Sequence, residues 1–482
     1  MDEIHSWLLI SDADVGHAMS ALADGADYNP PTYYLVARSL AVFGPITEYR
    51  LRLLSLLFTA ATALAIYLML SRRFTAAASV AATLFATGHR LLVLQSTETR
   101  FYALWICLSM WYCWLLTKDV DGKIATIIQR ISLAIIAVAI CTTHYFGIIS
   151  VGLVTTVWTI CQLRNRWALI LGSLLTLCCV LTVACCLPML SGQKAALTCA
   201  TWVKPPTIAT STDYLLQFLP MLPFGLCIAA AAAGWVSRQQ ALHADESQEF
   251  EFPQPAAWGM ENTVLIASIL MPLVLIAFSW IVQPALVNRY AIIAVVAMVP
   301  IYVWLLSRAT EAIQNTCVGI AAVMVAFSVH NGSETWEHNL RSQFELQQSL
   351  AALPDDEVVV FEDRIDFWLL QQMETTSRKP AWFQVDFKTD DLARPSNLRT
   401  VQRDVGRRTQ KWYPDRFPMK ALSTLTDLNE FVVVPYVDRP FGELRFPDGY
   451  ESQRINDRMF RLRRTPLRTA VANGEDSHKI GQ

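Results

Sequence analysis

From residue 51 to residue 330 the apolar positions run together. The stretches are too long and unbroken for a half-buried strand, and no polar stripe recurs at helical spacing as it does in a surface helix. A bilayer-spanning helix needs roughly 20 mostly apolar residues. Ten segments approach that length: 51–70, 77–94, 101–117, 124–142, 145–162, 168–190, 220–237, 262–281, 286–306 and 316–330. The run 131–161 is too long for one helix, and "THYFG" (143–147) divides it into two. The stretch "PPTYYLVARSLAVFG" (30–44) is different. It is too short to cross, and Arg38 at its middle would be costly in hydrocarbon. Proline at its start, aromatics along it and glycine at its end predict a helix lying in the membrane interface.

Beyond residue 330 the pattern becomes that of a water-facing protein. "DDEVVVFED" followed by "RIDFWLLQQM" predicts a strand and then a helix, and "EFVVVPYV" and "RMFRLRR" read as strands. The expected fold class is therefore mainly α: a polytopic transmembrane helical bundle of about ten spans, followed by a small C-terminal α/β domain. The expected organisation is 1–50, an outer loop with the interfacial helix; 51–330, the transmembrane domain; 331–466, the α/β domain; and 467–482, a tail whose composition reads as disordered.

Composition agrees. The chain has 482 residues, of which 53% are hydrophobic and only 17% charged, against about 25% charged in an ordinary soluble domain. The net charge of −2 argues against a nucleic-acid-binding surface. Ten of the eleven cysteines lie in or beside apolar runs, where they serve as small apolar residues, and no disulfide framework or zinc spacing is present.

The loops "SRRFTA", "TKDVDGK", "QLRNRW", "SRQQ" and "SRATEA" each carry Lys or Arg, which predicts a cytoplasmic side for them. The opposite side then collects Asp2, Glu3, Glu98, Arg100, His144, Tyr145, Lys204 and Arg289. Singly, each has an ordinary explanation: Glu98 and Arg100 pair with each other, His144 caps a helix hairpin, and Arg289 snorkels to a headgroup. Together they gather chemistry at one membrane boundary. Arg50, Arg52, Arg100 and Arg289 lie on the side that the rule leaves poor in cations, which predicts an anionic partner there.

The ordered stretches "DE" (2–3), "NPPTYYL" (29–35), "RLLS" (52–55), "ETRFYAL" (98–104), "THYFG" (143–147), "WVKPPT" (202–207) and "NRYAI" (288–292) resemble the GT-C membrane glycosyltransferases. The nearest branch is the dolichyl-phosphate-mannose–protein mannosyltransferase-like proteins (glycosyltransferase family 39-like), which are related to the aminoarabinose transferases. The resemblance implies transfer of a sugar from a polyprenyl-phosphate donor to a hydroxyl of a protein, glycan or lipid, on the outer side of a bacterial plasma membrane. It also implies a transmembrane helix ahead of the acidic pair, and hence an expected start upstream of Met1.

Such chemistry requires few groups. Phosphate leaves without protonation, so a single base suffices to take the acceptor proton. Cations are needed where charge grows on the departing phosphate, and an arginine fork suits that task. The resemblance assigns the catalytic carboxylate to Asp2 with Glu3. Donor binding is expected of Arg100, Glu98, His144, Tyr145, Arg289, Tyr102, Asn29 and Lys204. No cofactor is certain, and a divalent metal is left open. A non-catalytic scaffold and a lipid or solute transporter are the alternatives. A transporter would place its ionisable groups near the bilayer midplane, commonly within repeated halves.

Overall fold

The computed structural model describes residues 2–195, 203, 205–244, 259–354, 356–361, 381–383, 397–414, 428–435 and 450–465. Within these, side chains are described except at 2–4, 195, 238, 240–244, 332–343, 381–383 and 397–404. The chain forms two compact units: a helical one of residues 2–338 and 396–412, and a smaller one of 339–395 and 413–482.

The helical unit opens with three short helices, α1 (Asp2–Ile10), α2 (Val15–Ala23) and α3 (Thr32–Arg38), the last running into a 3-10 turn, Ser39–Phe43. Seven residues of α3 rise only about 10 Å, so the segment expected at the interface is too short to cross. Arg38 is absorbed locally. Its guanidinium donates to the carbonyls of Leu9 (3.1 Å) and Ile10 (3.4 Å), where α1 ends and its dipole favours a cation. Asp14 caps α2 by accepting from the Gly16 N–H at 2.7 Å.

The remaining helices of the bundle follow: α4 (Glu48–Leu70), α5 (Ala76–Thr87), α6 (Arg90–Thr97), α7 (Tyr102–Thr117), α8 (Lys123–Cys141), α9 (Gly147–Cys161), α10 (Arg166–Ala195), α11 (Ile208–Leu216), α12 (Met221–Ala244), α13 (Met260–Ala267), α14 (Leu270–Ile281), α15 (Val299–Leu306) and α16 (Glu311–Ala351). A 3-10 stretch, Asn288–Met298, leads into α15. Six segments are long and apolar enough to cross a membrane, and the number is eight if the bent pairs α5–α6 (68°) and α11–α12 (52°) each count as one. The shorter apolar helices α7 and α9 occupy the other two positions expected from the pattern.

The burial pattern is that of a bundle in lipid. Trp105, Ile106, Met110, Tyr112 and Cys113 bury α7 on all sides. By contrast, Ile124, Ile127, Ile128, Ile131 and Ile135 form an exposed stripe on α8, and Leu174, Leu177 and Leu181 do so on α10. Such stripes would associate in water, whereas hydrocarbon solvates them. Hydroxyls inside these helices find carbonyls four residues back, as Thr59, Thr62, Thr83 and Thr159 do. Others pair across helices: Tyr112 Oη lies 2.6 Å from Thr155 Oγ1, and the Trp105 indole donates to Ser150 Oγ at 3.3 Å. No polar group can be left to solvent at that depth. A final helix, α17 (Asn397–Trp412), also belongs to this unit.

In the smaller unit the described residues form a five-stranded sheet of β1 (Val359–Phe361), β2 (Ala381–Phe383), β3 (Glu430–Val434), β4 (Tyr450–Asn456) and β5 (Met459–Arg464). The order is β2-β1-β3-β5-β4. β1 runs parallel to β2 and β3, and β5 lies antiparallel between β3 and β4. Val360, Phe431, Val433 and Leu462 make its core. Arg461 grips Glu357 with both arms of its guanidinium, at 2.8 and 2.9 Å. The helix expected at 364–373 and the tail 467–482 lie outside the described residues.

One ion pair ties the end of α4 to the start of α13. Glu261, only 3% exposed, accepts from the half-exposed Arg73. Removing the arginine would strand a buried carboxylate, at a cost of about 1–3 kcal/mol. Arg73→Ala is expected to lower the thermal unfolding midpoint in detergent, and Arg73→Ala with Glu261→Met to recover most of the loss. Equal midpoints for the two variants would show that the pair does not carry this junction.

Candidate functional site

The site is assembled around Arg100. α6 ends at Thr97, and Glu98 leaves the helix in an extended conformation. α4 holds this exit in place: the Ser55 hydroxyl donates to the Glu98 carbonyl at 2.7 Å, and Arg52 donates to the Thr97 carbonyl. The chain then turns Arg100 inward before α7 begins, leaving the residue 5% exposed. Its guanidinium carbon lies 5.1 Å from the Phe101 ring centroid.

A buried guanidinium needs an anion, and Asp27 is there. α2 is capped at Asp24, and Gly25, at φ 94°, turns the chain in a way that other residues resist. Asp27, 6% exposed, receives the Ser6 hydroxyl (3.0 Å) and Arg100 Nη1 (3.3 Å) on one oxygen. Its other oxygen receives the Tyr28 N–H (2.7 Å) and the Asn29 amide (3.1 Å). Arg100 Nη1 also donates to Ser6 Oγ at 3.0 Å, closing a triangle. Two donors on each oxygen occupy the carboxylate's acceptor sites with fixed partners.

His144 also packs on Phe101. Its ring is stacked between Phe101 (4.8 Å, 21°) and Trp105 (4.7 Å, 24°), with Tyr290 at 5.3 Å. Nδ1 accepts the Phe146 N–H at 3.2 Å, so a neutral ring carries its proton on Nε2 and offers it as a donor. Burial and the charges of Arg100 and Arg289 push this imidazole down to about 3. The Arg289 guanidinium carbon lies 5.6 Å from the Tyr102 ring centroid, and that ring lies 5.9 Å from His144. Arg100, Phe101, Tyr102, His144, Arg289 and Tyr290 thus form one continuous cluster.

Tyr145 donates to Gln193 Oε1 at 2.7 Å, and the Gln193 amide donates to the carbonyls of Leu22 (3.1 Å) and Asn29 (3.4 Å). This glutamine joins the loop after α8 to the loop carrying Asp27. Asn29 is part of the Asp27 network. Glu98 meets α4 through its backbone carbonyl. Asp2 and Glu3 stand in the first turn of α1, four and three positions before Ser6. Their side chains, and Lys204, lie outside the described residues. Among the described residues no group of three His, Cys, Asp or Glu could hold a metal ion.

Sequence reasoning did not single out Asp27, Ser6 or Gln193. Asp27 left the clearest signal: it is the acid in "DYNPP", in a loop assigned to the same side as Arg100.

A neutral buried His144 binds fewer protons than it would in the unfolded chain, whose ordinary value is 6.5. Stability therefore falls as pH drops from 6.5 towards 3, by roughly 1 kcal/mol per unit through this window. His144→Gln is expected to flatten the acid limb of the unfolding midpoint against pH. An unchanged slope would mean that His144 is not the group responsible.

No family model matches the chain, and none of the curated proteins matches it. Its structure is similar to the crystal structure of ArnT from Cupriavidus metallidurans bound to undecaprenyl phosphate, at TM-score 0.56 and 12% identity, over 96% of this chain and 92% of that one. Against ArnT in the apo state the TM-score is 0.43. At this identity the likeness speaks to the fold alone: the chain has the polytopic helical architecture of that ArnT structure, with helices long and apolar enough to cross a membrane.

Proposed function

We propose that the chain is a membrane glycosyltransferase that moves a sugar from a polyprenyl-phosphate donor to an acceptor hydroxyl. The observation that carries this reading is the cluster in which the charges of Arg100 and Arg289 both act on a neutral, ring-stacked His144. Two arginines within an apolar bundle suit a phosphate with a hydrocarbon tail. The ArnT structure of the same fold holds undecaprenyl phosphate. A transporter reading lacks a comparable observation.

In this mechanism the acceptor oxygen attacks the anomeric carbon. The bond from that carbon to the phosphate oxygen breaks, and its electron pair stays with the phosphate. Arg100 and Arg289 stabilise the charge that grows there, and the His144 Nε2–H adds a neutral donor. Asp27 and Ser6 orient Arg100. The acceptor proton passes to Asp2, with Glu3 beside it as an acceptor-binding or second carboxylate. The cluster faces the outer side of a bacterial plasma membrane, in agreement with the positive-inside reading of the loops.

Two experiments in full-length protein test this reading. Asp2→Asn keeps the shape and removes the proton acceptor, and is expected to slow transfer by about 10²- to 10⁴-fold while undecaprenyl phosphate still binds. Near-normal turnover would remove Asp2 as the base. Arg100→Lys keeps the charge but loses the fork, and is expected to weaken undecaprenyl phosphate binding about tenfold as well as slowing transfer. Unchanged binding in a thermal-shift titration would remove Arg100 from the phosphate site.

A further inference from the structure

The Ser6–Asp27–Arg100 triangle rests on two short segments, and both are gripped by α17 from the far end of the chain. Immediately before Ser6, His5 Nδ1 lies 2.9 Å from Thr409 Oγ1, 404 positions away. Both residues are buried, and the Thr409 hydroxyl also reaches the Val405 carbonyl at 2.9 Å. Three positions before Asp27, the Asp24 carboxylate accepts from three groups on α17: Arg408 Nη1 at 3.1 Å, Lys411 Nζ at 2.6 Å and the Trp412 indole at 2.9 Å. The His17 ring lies edge-on to Trp412, with centroids 5.2 Å apart, and Asp12 Oδ2 holds its Nδ1 at 2.6 Å. Burial acts to raise the Asp24 carboxyl, but Lys411, Trp412 and Arg408 outweigh it and hold the group below its ordinary value.

An exposed ion pair contributes little by itself, but three donors of different geometry on one carboxylate fix its position as well as its charge. Asp24 is also the residue from which the chain turns at Gly25 into the loop that carries Asp27. Any displacement of α17 is therefore passed through three residues to Asp27, and through one residue to Ser6. Both groups accept hydrogen bonds from the Arg100 guanidinium.

We propose that α17 is a positioning strap for the candidate site. Through Asp24 and the His5–Thr409 pair it sets Asp27 and Ser6, and these set the Arg100 guanidinium where a phosphate is received. Asp24 and Thr409 are positioning residues in this scheme, acting through others and touching no substrate. The inference rests on the reading of Arg100 as a phosphate contact.

The test uses the full-length protein in detergent, with undecaprenyl phosphate as the binding probe and sugar transfer as the second readout, both counted per folded molecule. Asp24→Asn is expected to weaken undecaprenyl phosphate binding and to lower turnover, each about tenfold, within the roughly 10²-fold that a 1 Å misplacement can cost. Asp24→Glu is expected to restore most of both, a rescue that bulk stability alone would not produce. Thr409→Val, nearly the same size, keeps the test open should Asp24→Asn fail to fold. It is expected to reduce binding and to speed amide hydrogen exchange across residues 24–31. Wild-type binding, turnover and exchange in Thr409→Val and in the folded Asp24 variant would overturn the strap while leaving the functional reading intact. A wild-type protein that does not bind undecaprenyl phosphate would overturn both.

Discussion

The guanidinium of Arg100 sits in an apolar bundle with little access to water, and much of the N-terminal architecture follows from that. Taking a charge out of water is expensive, and the cost is recovered only by an opposite charge with its own hydrogen bonds in place. Asp27 supplies the charge, and Ser6, Tyr28 and Asn29 complete its coordination. Gly25 turns the chain to bring the carboxylate in, while α4 holds the exit of α6 that brings the guanidinium in. The short helices α1 to α3 are thus the frame of one ion pair as much as connections between longer elements.

The aromatic cluster beyond Phe101 extends the same economy. His144 fits between two rings because it is neutral, and it is neutral because burial and two arginines disfavour its charged form. An imidazole held in that state is a donor of fixed geometry rather than a proton carrier. In the proposed function the two arginines supply the positive charge and His144 a neutral donor, a division of roles that suits a phosphate leaving group.

In the rest of the helical unit the solvent is lipid, which changes what packing must accomplish. Exposed isoleucine and leucine stripes on α8 and α10 carry no penalty, so helices are held by close approach and by paired hydroxyls rather than by an apolar core. The small residues of α5, with Ala78, Ala81 and Ala82 fully buried, allow that approach.

What the sequence by itself determined is what depends on local composition. Runs of about twenty apolar residues have one comfortable solvent, so the positions of ten helical segments, the mainly α class and the strands at 359–361, 430–434 and 459–464 were all legible from it. The same holds for Arg100, His144 and Arg289 as notable residues, since ionisable groups at the ends of apolar runs are conspicuous. What only the tertiary structure decided is which groups meet. Asp27 and Ser6 are ordinary loop and helix residues until folding sets them against Arg100, and the angles of the α5–α6 and α11–α12 bends (68° and 52°) are set in the fold. The place of α17 is the clearest case. Its pattern of Arg399, Arg403, Arg407 and Lys411 describes an amphipathic helix in water, and nothing in that pattern names Asp24, nearly four hundred residues away, as its partner. Periodicity records how an element meets its solvent. The pairing of distant charges is set by chain topology, which no local pattern contains.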